Sequence, residues 1–157
     1  MKRLGLILAA ILLLPMCFAA CEQGTGGEYS FAYNGQAVRI GDDGNAVAAA
    51  LGTPIDYIEE DSCGGEGPDK TFVYPGFRYD TVMTGGVDRI VKIVLTDDSA
   101  ATPEGIQIGS AKSAVIAAYG DSYTENADGS LVYTDGNAKL MFGIRDGVVT
   151  AIHYIKA

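Results

Sequence analysis

Tryptophan is absent from this 157-residue chain, histidine occurs once and cysteine three times. A structural zinc site takes about four nitrogen or sulfur ligands, and His153 with so few thiols falls short of a set. Basic residues are scarce too. Eleven Lys and Arg face 20 Asp and Glu, a formal charge of −9. A chain of that sign repels phosphate backbones and anionic headgroups. Nucleic acid is therefore not an expected partner, nor is a membrane held through the protein's own surface. Long apolar runs are missing as well. The longest, residues 4–14, has eleven residues, against the roughly 20 that a spanning helix needs. The Gly-rich stretches 24–27 and 64–67 do not join a strand to a phosphate-facing helix, so no nucleotide cofactor is expected.

What the N-terminus does contain is a three-part secretory signal. Lys2 and Arg3 form its positive end, residues 4–14 its apolar stretch, and Pro15 breaks the helix before small residues Ala19 and Ala20. The segment Phe18-Ala19-Ala20-Cys21 resembles the lipobox of bacterial lipoprotein precursors. That resemblance implies diacylglyceration of the Cys21 thiol, cleavage of residues 1–20, and a lipid anchor facing outside the cytoplasm. Residues 21–28 then read as a lipidated, Gly-rich flexible tether. Loss of Lys2 and Arg3 leaves nine bases against 20 acids, so the mature charge is −11. Cys17 leaves with the signal and Cys21 is acylated, so Cys63 has no disulfide partner within the chain.

Residues 29–157 are expected to form one domain of two repeats, approximately 29–100 and 101–157. Asn34-Gly35 between two alternating segments marks a hairpin. Ile40-Gly41 leads through an Ala-rich segment to Leu51-Gly52, and Ile108-Gly109 leads likewise to Tyr119-Gly120, at a constant offset of 68. Each copy reads as a Gly turn, a short capped helix and a Gly stop, with Asp42 or Asp43 and Ser110 as N-caps. Period-two segments follow at 70–74, 77–82 and 89–96, then at 130–134, 138–144 and 148–155, separated by turn dipeptides. These align at an offset of 59. Residues 57–60 fit an extra edge strand. The expected fold class is α+β: a tandem repeat of short helix plus antiparallel β-meander, helices packed on one face of a sheet. Strict alternation sends Val91, Ile93, Leu95, Ile152 and Tyr154 toward the helices. It sends Ile90, Lys92, Val94, Ala151 and His153 the other way.

Two such units in tandem resemble the β-lactamase inhibitory protein architecture. The residues Ser62-Cys63, Asp69 to Tyr74, Ile90 to Leu95, Thr102-Pro103-Glu104-Gly105 to Ile108-Gly109, and Tyr119-Gly120 resemble a group of clostridial-type lipoproteins of that fold. One unit also resembles the small lipoprotein of the outer-membrane β-barrel assembly machinery. These resemblances imply a protein-binding scaffold whose open sheet face is the contact surface. The inhibitor carries disulfides; this chain has no pair to form one.

Residues with possible chemistry have plainer readings beside them. Cys63 lies among acids, which raise a thiol pKa and oppose nucleophilic use; a structural thiol fits better. His153 falls on the outward face, where a general base would need a nucleophile, and Ser62, Ser110 and Ser113 lack a Gly-x-Ser-x-Gly setting. The clusters Asp42-Asp43, Glu59-Glu60-Asp61, Asp97-Asp98 and Glu125 with Asp128 do not follow the alternating calcium-loop order. They read as solvated turns and caps, and no metal site is expected. Phe72 with Tyr74, and Phe77 with Tyr79, are core residues or one side of an exposed aromatic patch.

The expected function is that of a membrane-anchored extracytoplasmic lipoprotein, a monomer, acting as a non-catalytic module that binds a protein partner at the cell envelope. Ile90, Lys92, Val94 and His153 are its candidate contact residues and Cys21 its lipidation site. The alternatives are an inhibitor of an extracellular enzyme (a β-lactamase or peptidase), or a hydrolase or small-molecule carrier whose site shows no motif.

Overall fold

The computed structural model describes residues 29–62 and 66–157; the signal, the tether, Cys21 and Cys63 lie outside the described residues. Strand β1 (Ser30–Tyr33) turns at Asn34-Gly35, both at positive φ, into β2 (Gln36–Arg39), pairing Phe31 with Val38. Helix α1 (Gly44–Leu51) leads to strands β3 (Asp56–Glu60), β4 (Asp69–Tyr74), β5 (Phe77–Thr84) and β6 (Val87–Leu95). Helix α2 (Lys112–Tyr119) leads to β7 (Thr124–Glu125), β8 (Leu131–Asp135), β9 (Ala138–Arg145) and β10 (Val148–Lys156). The last eight strands form one antiparallel sheet in the order β3-β4-β5-β6-β10-β9-β8-β7. Its centre is the β6–β10 seam, where Ile152 faces Leu95 and Tyr154 faces Ile93.

This corrects the expected fold class. The protein is β-rich, and the helices do not form a layer on the sheet. Each helix has eight residues, about 12 Å at 1.5 Å per residue and too short to be stable alone. Helix α1 buries Gly44 and Val47, and α2 buries only Val115. Their alanines carry too little apolar surface to cover eight strands. The cover comes instead from the β1–β2 hairpin and the 96–111 linker, which contribute Phe31, Val38, Ala100 and Ile106 to the core. Phe31 packs on Phe77 at 4.7 Å between ring centroids, as does Tyr33, and Phe31 reaches Tyr154 at 6.2 Å.

Phe72, Tyr74, Phe77 and Tyr79 are all buried on this side, 0–5% exposed. Of the two readings of these aromatics, core holds and the exposed patch does not. Alternation alone could not say which face was covered. Stacking of Phe72 on Tyr79 and of Tyr74 on Phe77 knits β4 to β5, at about 0.5–1.5 kcal/mol per pair beyond area burial.

Helix ends were partly legible. The Asp43 carboxylate accepts from the N–H groups of Asn45 and Ala46 at 3.0 and 3.3 Å. Ser110 does not cap α2. Its hydroxyl accepts from Gln107 N–H at 3.0 Å, and the N-cap position falls to Ala111, which has no side chain to offer. Ala111→Asp is expected to stabilise the protein by about 1 kcal/mol, since a polar cap satisfies an orphan N–H; urea melts of the two proteins measure this. The C-caps Gly52 and Gly120 adopt φ 88 and 82 with ψ near 180°, not the left-handed helical conformation expected. That region is essentially restricted to glycine. It aims both carbonyls at the sheet, where Tyr74 and Tyr133 hydroxyls donate to them at 3.0 Å each.

Both long central strands carry a bulge. Register skips Val91 in β6 (Asp80 pairs Lys92, then Thr81 pairs Ile90) and Thr150 in β10 (Val149 pairs Ile144, then Ala151 pairs Gly143). Beyond each bulge the backbone bonds to the Ile-Gly segment that precedes a helix. Gly41 N–H donates to Ile90 carbonyl at 2.7 Å and Ile90 N–H to Asp42 carbonyl at 2.9 Å. Gly109 donates to Val149, and Val149 to Ser110, both at 2.8 Å. An extra residue kinks a strand and re-aims its side chains, which fixes what each sheet face displays.

Candidate functional site

One sheet face is packed under the hairpin and the 96–111 linker, to which α1 and α2 add Val47 and Val115. Among the described residues, no helix or hairpin lies against the other. Two cross-strand rows run through its centre. In the first, Val73, Arg78, Val94, His153, Met141 and Val132 are successive partners from β4 to β8. In the second, Thr71, Asp80, Lys92, Ile155, Lys139 and Thr134 follow the same path. All but the exposed Thr134 are half-buried, shielded by their neighbours in the rows. Over β8, β9 and β10 the surface is a groove of about 380 Å³. Val132, Met141 and Ile155 line it with apolar groups; Thr124, Asn126 and Lys139 add polar ones.

Of the residues selected from sequence, Lys92, Val94 and His153 meet on this face, with Val94 and His153 directly opposite one another. Ile90 does not join them. It is 1% exposed and belongs to the core, because the bulge at Val91 shifts the alternation by one residue. Arg78, Met141, Lys139 and Ile155 complete the surface and went unnamed. Their positions in alternating strands were readable, but the neighbour each would face depends on the order of the strands.

Electrostatics around His153 are set by burial and by charge. Burial lowers its pKa below the ordinary 6.5, Lys92 and Arg78 lower it further, and only Asp80 acts to raise it. Asp80 is also held by Thr71 Oγ1 at 3.0 Å and by Arg78 at 3.7 Å. A histidine whose folded pKa is depressed binds its proton more readily when unfolded. Stability is then full above the unfolded pKa near 6.5 and falls as pH drops below it. Thermal midpoints should decline from about pH 7 toward pH 5, and His153→Gln should flatten that decline. Identical slopes for both proteins would remove His153 from the account.

Members of three of the acidic clusters serve local backbone. Asp42 accepts from Arg39 N–H at 2.9 Å, Asp97 from Ser99 at 2.8 Å, and Asp128 from Ser130 at 3.0 Å. Glu125 pairs with Lys112 at 3.1 Å. Among the described residues, no three His, Cys, Asp or Glu converge as metal ligands, and no helix is long and apolar enough to cross a membrane. At the sheet edge, Tyr57 and Ile58 of β3 are 45% and 43% exposed, and Tyr57 packs edge-on to Phe72.

No protein-family model matches the chain, and no curated protein matches it. Among solved structures it is similar to an extracellular protein containing a SCP domain from Bacillus anthracis strain Ames, at 13% identity and a TM-score of 0.43. The match covers 74% of this chain and 44% of that one, so this chain spans less than half of that protein's length. No catalytic family emerges from these comparisons.

Proposed function

We propose that this chain is a lipid-anchored, extracytoplasmic and non-catalytic protein-binding module that works through the open face of its sheet. The observation that carries this reading is the two-sidedness of the sheet. One face is driven into the core by aromatic and aliphatic side chains. The other sets half-buried Val94, Met141 and Ile155 among Arg78, Lys92, Lys139 and His153. Apolar groups interleaved with polar ones suit an interface with a folded partner, where a few side chains carry most of the binding energy. The Cys21 lipobox supports the anchor, and an anchor with two or more acyl chains holds durably.

Photo-crosslinking in native membranes tests the whole reading. A photoreactive residue at Val94 or Met141 should capture a discrete envelope protein, and the same residue at Ala50, on α1, should not. Mass spectrometry of the purified native protein should find Cys21 acylated and N-terminal. Equal capture from all three positions would sink the open-face assignment, and a free Cys21 thiol would sink the anchor.

A further inference from the structure

The centre of the open face carries charge of the opposite sign to the chain. Over β5, β6, β10, β9 and β8, among the described residues, the one carboxylate in the two central rows is Asp80, and Arg78 neutralises it at 3.7 Å. Lys92 and Lys139 form no ion pair among the described residues. Both are cross-strand partners of Ile155, one from each side. Two ammonium groups, with Asp80 opposite one of them and no ion pair to either among the described residues, therefore flank an apolar side chain beside the groove, in a chain of net charge −9. The depression of the His153 pKa by Lys92 and Arg78 reports the same positive field.

Building on the open-face reading, we infer that the partner presents an acidic amphipathic helix, with an apolar side chain between two carboxylates that meet Lys92 and Lys139. Strands β6 and β9 are separated by β10, so the two lysine backbones stand about 10 Å apart, twice the spacing of neighbouring strands. Carboxylates seven residues apart on one helix face are also about 10.5 Å apart. Along an extended strand, same-face residues recur at about 6.7 or 13 Å, a poorer match. Charge also selects the docking site. At physiological salt, fields fade beyond about 8 Å, so the acidic turns elsewhere repel such a helix only on contact. The lysine-flanked face is where contact becomes attractive. An anionic lipid surface is disfavoured, since it would bring the acidic turns within that distance over a wide area.

The test uses the full chain in zwitterionic nanodiscs and a dye-labelled peptide of about three heptads, with Glu at i and i+7 and Leu between them. Anisotropy should report saturable binding, and amide exchange should slow in β6, β10 and β9. Lys92→Glu with Lys139→Glu should weaken affinity by at least roughly tenfold, and the milder Lys92→Gln with Lys139→Gln by less. Arg39→Glu, on the hairpin, should leave it unchanged. Absent binding of this peptide would overturn the inference. So would equal affinity of all variants, or equal binding of a Lys-for-Glu peptide with protection of the same strands. That last outcome would leave the open-face reading standing, whereas protection confined to other elements would end both. Protection of β6, β10 and β9 by anionic nanodiscs alone would assign the face to lipid headgroups and overturn the acidic-helix partner.

Discussion

Ile90→Asp is expected to leave the chain largely unfolded at 25 °C, while Val94→Asp, four residues further along the same strand, stays folded. Ile90 is 1% exposed and its backbone is tied to Gly41 and Asp42. A carboxylate placed there has no counter-ion designed for it, and burying an unpaired charge costs several kcal/mol even after relaxation. Typical domains hold about 5–15 kcal/mol in total. Val94 is half-buried on the open face, between Arg78 and His153. An acid there meets positive potential and water, so its cost should stay below about 1 kcal/mol. Far-UV circular dichroism with urea titration separates the two results. Similar midpoints for both variants would mean that Ile90 and Val94 share a face, and the bulge at Val91 would have no place in the account.

That pair of residues also marks where the sequence stops being legible. Hairpins and turns were readable because their causes are local: Asn34-Gly35 and Asp146-Gly147 need positive φ, and both have it. Lys92, Val94 and His153 fall on one face, as alternation predicts, because simple alternation holds from the bulge to the end of each strand. Ile90 was misplaced because the bulge is caused by a segment about 50 residues away. The backbone of Ile90 stays opposite Thr81 of β5 but turns its C=O and N–H to bond Gly41 and Asp42. The local sequence Ile90-Val91-Lys92-Ile93-Val94 fits either face before Val91. One signal was present. The 59-residue offset that aligns the strands puts Val91 on Thr150, and both turn out to be the skipped residues. The helices failed differently. Their position was readable, but whether eight Ala-rich residues could cover a sheet is a question of area rather than period. The hairpin aromatics Phe31 and Tyr33 supplied that area instead.

The second large effect concerns the cluster that pins α1 to the sheet. Lys70 Nζ donates to Asp88 Oδ2 at 2.7 Å, and Asn45 Nδ2 donates to the same oxygen at 2.7 Å. This joins the first turn of the helix to β4 and β6. The side chains of Lys70 and Asp88 are only 15% and 4% exposed. Because α1 buries little beyond Gly44 and Val47, the Asn45–Asp88 bond, with the Tyr79 hydroxyl donating to the Gly44 carbonyl at 2.8 Å, is a large part of what orients it. Asp88→Ala leaves a mostly buried ammonium and amide without their acceptor, and breaking such a pair costs about 3–5 kcal/mol. The loss should lie at the lower end, because the lysine stem can carry its charge to water. Lys70→Met with Asp88→Leu should recover most of it, since no charge is then stranded, and the Asp88 Oδ1 atom, buried without a hydrogen-bond partner, disappears as well. The pH dependence gives a second reading of the same pair. The Lys70 hydrogen bond holds the Asp88 pKa below the ordinary 3.8, and Asp88 holds that of Lys70 above 10.5. The carboxylate's contribution is complete above its unfolded pKa and disappears as pH falls through the lower, folded one. The lysine's is complete below 10.5 and disappears as pH rises through its folded value. Asp88→Ala should therefore flatten both the acid and the alkaline limbs of the stability profile while lowering the plateau between them. A lowered plateau with both limbs intact would mean that Asp88 acts through packing and not through its charge.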